Sequence, residues 1–249
     1  MKELIERRLA TLVESYFTKD SLLKEGTGYI LLSGGKRLRP LITLALTENH
    51  PLALDVACAL EMLHTSSLIH DDLPCMDNDD YRRGLLTLHK RYDEAHALLT
   101  GNLLMTWPYE LISSIEGLRD AQKHRLSAIL SKRFVEVIEG QKLDLAGNST
   151  SWQKIETMHE KKTAALFMAA FECAAVINEH PLEIYTLAGR EFGLAFQCYD
   201  DLLDEGPAVM HLGREPLVAH IHSLLDRVLN QFPELADIHP FCQGALYVS

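Results

Sequence analysis

Apolar residues recur at three- and four-residue intervals along most of this chain, the period of a helix that buries one face. The pattern predicts helices near residues 2–17, 21–33, 38–48, 52–72, 89–99, 102–115, 119–140, 151–177, 182–204 and 214–231. Runs of alternating β-branched residues bounded by turns, which would signal strands, are missing. Breaks fall at Gly34-Gly35, Asn49-His50-Pro51, Gly147-Asn148-Ser149 and His180-Pro181. Ser151 is placed to cap the helix that follows, and Pro181 suits a first helical turn. No linker, low-complexity tract or repeat of fixed period interrupts the pattern. The expected architecture is all-α, a single domain over residues 1–249 with a bundle of about ten helices.

Two of these helices carry aspartates where the period calls for apolar residues. On the helix expected over 52–72, His64, Ser67, Leu68 and Asp71 share one stripe, since seven residues return within about 20° of the start. Leu73-Pro74 then disturbs the helix, because a residue before proline is pushed out of the α region. Asp77 is able to fold back across that turn toward Asp71 and Asp72, in the stretch "HDDLPCMDNDDYRRG". On the later helix, Gln197, Asp200, Asp201 and Asp204 span an arc of about 100°, opposite Ala195, Cys198, Leu202 and Leu203. The later cluster is a polar stripe on a buried-type helix. The earlier one, taken alone, is equally compatible with an acidic solvated loop.

Two carboxylates about 4 Å apart repel by roughly 4 kcal/mol at an effective dielectric near 20, so such clusters call for protons or cations. Oxygen-only ligands select hard ions, and Mg2+ keeps waters while bridging a few carboxylates to phosphate groups. The spacings fit neither an EF-hand nor a glycine-rich phosphate loop. A formal net charge of -11 agrees with cation binding and argues against a nucleic-acid or anionic-membrane partner. The five cysteines are scattered without metal-site spacing and read as reduced thiols of a cytoplasmic protein. The opening helix mixes acids with bases and is not read as a signal peptide, and no apolar run is long enough for a membrane span.

Basic residues complete the pattern. "GGKRLRP" sets Lys36, Arg37 and Arg39 directly after two glycines, Arg82 and Arg83 follow the first aspartates, and Lys161, Lys162 and Thr163 open an apolar helix in "MHEKKTAALFMAAF". Carboxylates for metal and arginine forks for phosphate oxygens together suit a polyphosphate ester. In this order and spacing, "GGKRLRP", "LIHDDLPCMDNDDYRRG", "KKTAAL" and "FQCYDDLLD" resemble the trans-isoprenyl diphosphate synthases, from about residue 28 to 205.

The resemblance implies an all-α bundle around a central cavity, a homodimer, and Mg2+-dependent head-to-tail joining of isopentenyl diphosphate to an allylic diphosphate such as dimethylallyl, geranyl or farnesyl diphosphate. By resemblance, Asp71, Asp72 and Asp77 form the first metal set and Asp200, Asp201 and Asp204 the second. Arg82, Lys162, Thr163 and Gln197 match positions that handle the allylic substrate. Lys36, Arg39, His64 and Arg83 match those that hold isopentenyl diphosphate. Gln141 and Asp144 match a family pattern that supports the site, and His70 is read as structural.

Farnesyl-producing members commonly carry an aromatic plug four or five residues before the first motif, where this chain has Ser67 and Ser66. The expectation is a product longer than farnesyl, most simply geranylgeranyl diphosphate, with Met62, Leu63, Trp107 and Pro108 as candidate stops. One departure stands out. Family members continue past the second motif with a lysine-bearing loop that closes over the diphosphate. Here no lysine follows Lys162, and Arg214 is the only Lys or Arg between Asp204 and Arg227. Either the lid is lost or a loop is missing from this sequence; true loss would weaken diphosphate capture and water exclusion.

Overall fold

The computed structural model describes residues 1–147 and 151–243. The expected break at Gly147-Asn148-Ser149 lies, apart from Gly147, outside the described residues. Helices dominate, and the chain divides into two compact units, Met1–Leu44 with Asn49–Lys123, and Ala45–Glu48 with His124 onward.

The first unit contains α1 (Lys2–Tyr16), α2 (Lys24–Leu31), most of α3 (Leu38–Leu46), α4 (Ala53–Asp71), α5 (Leu88–Arg91) and α6 (Glu94–Ser114). Helix α4 packs against α6 and α1, and α2 packs on α6. Helix α4 is buried nearly all round, from Val56 to Ile69, as a helix at the centre of its unit must be. The pattern splits 89–99 from 102–115, but the chain runs as one helix from Glu94 to Ser114. Gly101 is no break, because the ring of His70 occupies its place: a Cβ there would lie 2.2 Å from His70 Nε2. Pro108 also sits inside α6.

One β-ribbon appears in this unit where the pattern shows no strand. Tyr81–Arg82 (β1) pairs antiparallel with Leu85–Leu86 (β2). Arg83 and Gly84, at φ 53° and 79°, form the two-residue turn, and positive φ at both positions matches the twist of a tight hairpin.

The second unit contains most of α7 (Asp120–Leu145), α8 (Trp152–His159), a π-helical turn (Glu160–Ala164), α9 (Ala165–Ile177), α10 (Leu182–Asp204), α11 (Pro207–Leu212) and α12 (Arg214–Gln231). Ser151 caps α8 by accepting from the Lys154 amide. Every residue of α9 is buried, and α10 packs on α9, α12 and the π turn. Arg133 of α7 is held by Glu172 of α9 at 2.9 Å and by Glu136 at 2.7 Å. The short helix α11, for which the pattern gives no separate segment, starts directly after Gly206.

Candidate active site

The first acidic motif sits where α4 ends. Asp71 is the last helical residue, the Leu73 amide still reaches the His70 carbonyl at 3.2 Å, and proline follows. The chain then folds back: the Asp77 amide donates to the Asp71 carbonyl at 2.9 Å, so both aspartates belong to one turn. Asp71 is half-buried and Asp77 exposed. Asp72 differs. It is buried, and its Oδ1 accepts from Arg82 Nε at 2.7 Å and from Arg82 Nη2 at 2.5 Å. Burial pushes the Asp72 carboxyl above the ordinary aspartate range, against the pull of Arg82.

Four arginines of this unit act electrostatically on His64. Burial holds its imidazole well below the usual histidine range, and the charges of Arg39, Arg83, Arg37 and Arg82 act in the same direction. His64 is therefore a neutral ring among four guanidinium groups. Arg83 Nη1 donates to the Gly34 carbonyl at 2.5 Å, which ties the hairpin turn to the glycine pair of "GGKRLRP". Lys36 is exposed and Arg39 half-buried. Arg37, between them, is fully buried and bound to Glu6 at 2.8 Å, Glu61 at 2.5 Å and the Leu31 carbonyl at 2.7 Å. It ties this segment to α1, α4 and the end of α2.

In the second unit Thr163, Gln197 and Asp201 form one hydrogen-bonded chain. Thr163 Oγ1 donates to Gln197 Oε1 at 2.6 Å, and Gln197 Nε2 donates to Asp201 Oδ1 at 2.9 Å. The Ala208 amide donates to Asp201 Oδ2 at 2.8 Å. The amide of Gln197 thus has a fixed orientation, with a second lone pair on Oε1 left over. Lys162 is paired with Asp144 through its ammonium group. Gln141 is buried on the same helix as Asp144. Asp200 is half-buried and Asp204 exposed at the end of α10.

Lys162 and Thr163 lie in the π turn, where the Ala165 amide reaches back five residues to the Glu160 carbonyl. Such a turn breaks the regular ladder and releases backbone carbonyls that an α-helix would consume. The turn is pressed against α7: a Cβ on Gly140 would lie 2.2 Å from the Lys162 nitrogen. His159, absent from the expected set, sits just before this turn. It is buried, its Nε2 lies 3.4 Å from Asp201 Oδ2, and neither ring nitrogen makes a hydrogen bond. Burial holds it below the usual range, against the charges of Asp201 and Asp144. Its only sequence signal is a polar residue at the start of an apolar helix.

Asp72 and Asp201 are buried on protein donors, whereas Asp71 and Asp200 are half-buried and Asp77 and Asp204 exposed. Among the described residues no group of three or more His, Cys, Asp or Glu closes into a metal cage. The donors are carboxylate oxygens, and they suit a hydrated Mg2+ that takes one or two carboxylates and completes its shell with water and phosphate oxygens.

The sequence matches the polyprenyl synthetase family over residues 20–215. It is 40% identical over 215 residues to the farnesyl diphosphate synthase of Micrococcus luteus, covering 82% of this chain and 74% of that protein. It is 38% identical over 208 residues to geranylgeranyl pyrophosphate synthase 3 of Arabidopsis thaliana, covering 77% and 58%. The structure matches a geranyltransferase from Helicobacter pylori, crystallised with magnesium and isoprenyl diphosphate, with a TM-score of 0.81 and 28% identity, over 100% of this chain and 97% of that one. The chain belongs to the polyprenyl synthetase family and is a prenyltransferase of the isoprenyl diphosphate synthase type.

Proposed function

We propose that this protein joins isopentenyl diphosphate to allylic diphosphates head to tail, with Mg2+, and that its product is geranylgeranyl diphosphate. The hydrogen bonds of Arg82 to Asp72, beside the turn that carries Asp71 and Asp77, and of Arg83 to the Gly34 carbonyl, two residues before Lys36, carry this reading. Guanidinium forks bind diphosphate oxygens, and His64 adds a hydrogen bond without adding charge. Lys36 extends the basic set. Asp71, Asp77, Asp200 and Asp204 hold metal, with Asp72 and Asp201 fixing their neighbours. Bound Mg2+ supplies charge stabilisation for the departing diphosphate.

Lys162 binds the leaving diphosphate, and the carbonyl groups of the π turn, with the oxygens of Thr163 and Gln197, face the allylic cation. Electrons of the isopentenyl double bond form the new carbon–carbon bond, and a proton leaves to the released diphosphate. The single family match supports one functional domain. We further propose a cytoplasmic homodimer. No helix among the described residues is long and apolar enough to cross a membrane, and Leu98 and Leu99 of α6 expose apolar surface suited to a partner.

The plug argument for product length rests on Ser67. Ser66 is fully buried, and its hydroxyl donates to the Gly101 carbonyl of α6 at 2.9 Å, so an aromatic ring there would strike a helix backbone. Ser67 is half-buried and turned onto its own helix, with its hydroxyl on the His64 carbonyl at 2.9 Å. A farnesyl product is the alternative. A non-catalytic regulatory subunit is the second reading, favoured by the missing lysines and by the Ala208 amide on Asp201. Incubation of the purified protein with Mg2+, isopentenyl diphosphate and each allylic primer, with products identified by mass, tests all three. A twenty-carbon product supports the main reading, a fifteen-carbon one the alternative, and no turnover the second.

A further inference from the structure

Beyond the arginines lies a buried polar pair that neither the sequence pattern nor the site description has used. We propose that Thr87 and His89 are positioning residues, a latch that fixes the ribbon bearing Arg82 and Arg83 for diphosphate binding. The inference rests on reading those arginines as diphosphate ligands.

Thr87 is fully buried at the exit of the ribbon. Its amide donates to the Asp80 carbonyl at 3.1 Å, and its hydroxyl donates to the Asp79 carbonyl at 2.8 Å. The two residues before Tyr81 are thereby pinned to the residue after Leu86, which closes the ribbon at its open end. Thr87 precedes α5, yet its hydroxyl makes no cap bond to that helix. The ordinary use of such a threonine has been given up to hold Asp79.

Asp79 is where the latch meets the site. Its carbonyl is held by Thr87, and its carboxylate takes Arg82 Nη2 at 3.3 Å, while the same guanidinium holds Asp72. A shift of Asp79 therefore moves Arg82 and releases buried Asp72.

His89 completes the latch, and hydrogen bonding sets its tautomer. The hydroxyl of Thr87 has one proton, given to Asp79, so at the 3.1 Å contact with His89 Nδ1 the threonine oxygen accepts. Nδ1 carries a hydrogen, and Nε2 is buried without a hydrogen-bond partner. An amide nitrogen at the Nδ1 position reproduces the needed donor, whereas one at the Nε2 position does not.

Thr87→Val keeps the branched shape and removes the hydroxyl. The expected result is a KM for the allylic diphosphate raised about tenfold or more, the size of a weakened charged hydrogen bond, with kcat changed less. Thr87→Ser restores the wild-type KM. His89→Asn retains most of the wild-type value, and His89→Gln behaves like Thr87→Val. Wild-type KM in both Thr87→Val and His89→Gln overturns the latch, as does equal loss in His89→Asn and His89→Gln. If Thr87→Val fails to fold, the two His89 variants decide the matter. Should the wild-type protein itself turn over no allylic diphosphate, the functional reading fails separately. The latch is then judged by calorimetric binding of inorganic pyrophosphate with Mg2+, with the same order of variants expected and its absence fatal.

Discussion

Arg37 keeps its charge in a place that water does not reach, between Glu6 and Glu61. Removing one partner of a buried pair strands the other, at a cost of about 3–5 kcal/mol, whereas replacing the whole set with apolar residues of similar size is far cheaper. Arg37→Met is expected to destabilise the protein by that amount, measured as the loss in urea unfolding free energy, and Arg37→Met with Glu61→Leu to recover part of it. His64 adds a pH dependence. Its folded-state pKa is depressed, so below the ordinary value near 6.5 the unfolded chain binds the proton more readily. Stability from the neutral ring is present above that pH and is lost as pH falls toward the folded pKa, by at most about 1.4 kcal/mol per pH unit. His64→Gln should flatten this part of the stability profile between pH 6.5 and 5. An unchanged slope would remove the neutral ring from the account.

At the scale of elements, the junction of α10 and α11 separates structural from metal-binding duty. Asp201 accepts the Ala208 amide, an orphan donor at the start of α11. Asp201→Asn keeps an acceptor oxygen and Asp201→Ala keeps none. Thermal unfolding is expected to be near wild type for the first and lower by about 0.5–2 kcal/mol for the second, the value of a helix cap. Activity that falls equally in both would assign Asp201 to the metal, while activity that follows stability would leave it as a strut. Ser67→Phe is the companion test for α4: the product should shorten to fifteen carbons, and an unchanged product would discard the plug argument. Much of this layout was legible in the pattern, since α10 and α12 begin and end where Pro181 and the periodicity place them. The failures share a cause. The pattern parts 89–99 from 102–115 because the ring packed against Gly101, His70, is thirty-one residues away in sequence. The π turn depends on the approach of Gly140, and Thr87 on a loop closure, neither of which has a periodic signature.

For the whole molecule, the surplus of acid supplies the broadest prediction. A net charge of -11 leaves the unliganded chain with a surplus of like charge, and two aspartate sets concentrate part of it. A ligand that binds only the folded state stabilises it by RT ln(1 + [L]/Kd), about 2.7 kcal/mol at a hundred times Kd. In a protein of this size each kcal/mol moves the unfolding midpoint by about 2–4 °C. Mg2+ with inorganic pyrophosphate should therefore raise the midpoint by about 5 °C or more. Mg2+ alone should do less, because the carboxylates reach the ion fully only when phosphate oxygens complete its shell. Asp71→Ala and Asp200→Ala each should reduce the combined shift and abolish turnover. A shift with Mg2+ alone equal to that with the pair would point to a caged metal and contradict the assignment. A combined shift untouched by either substitution would place the metal elsewhere and leave the aspartate motifs without the role given to them.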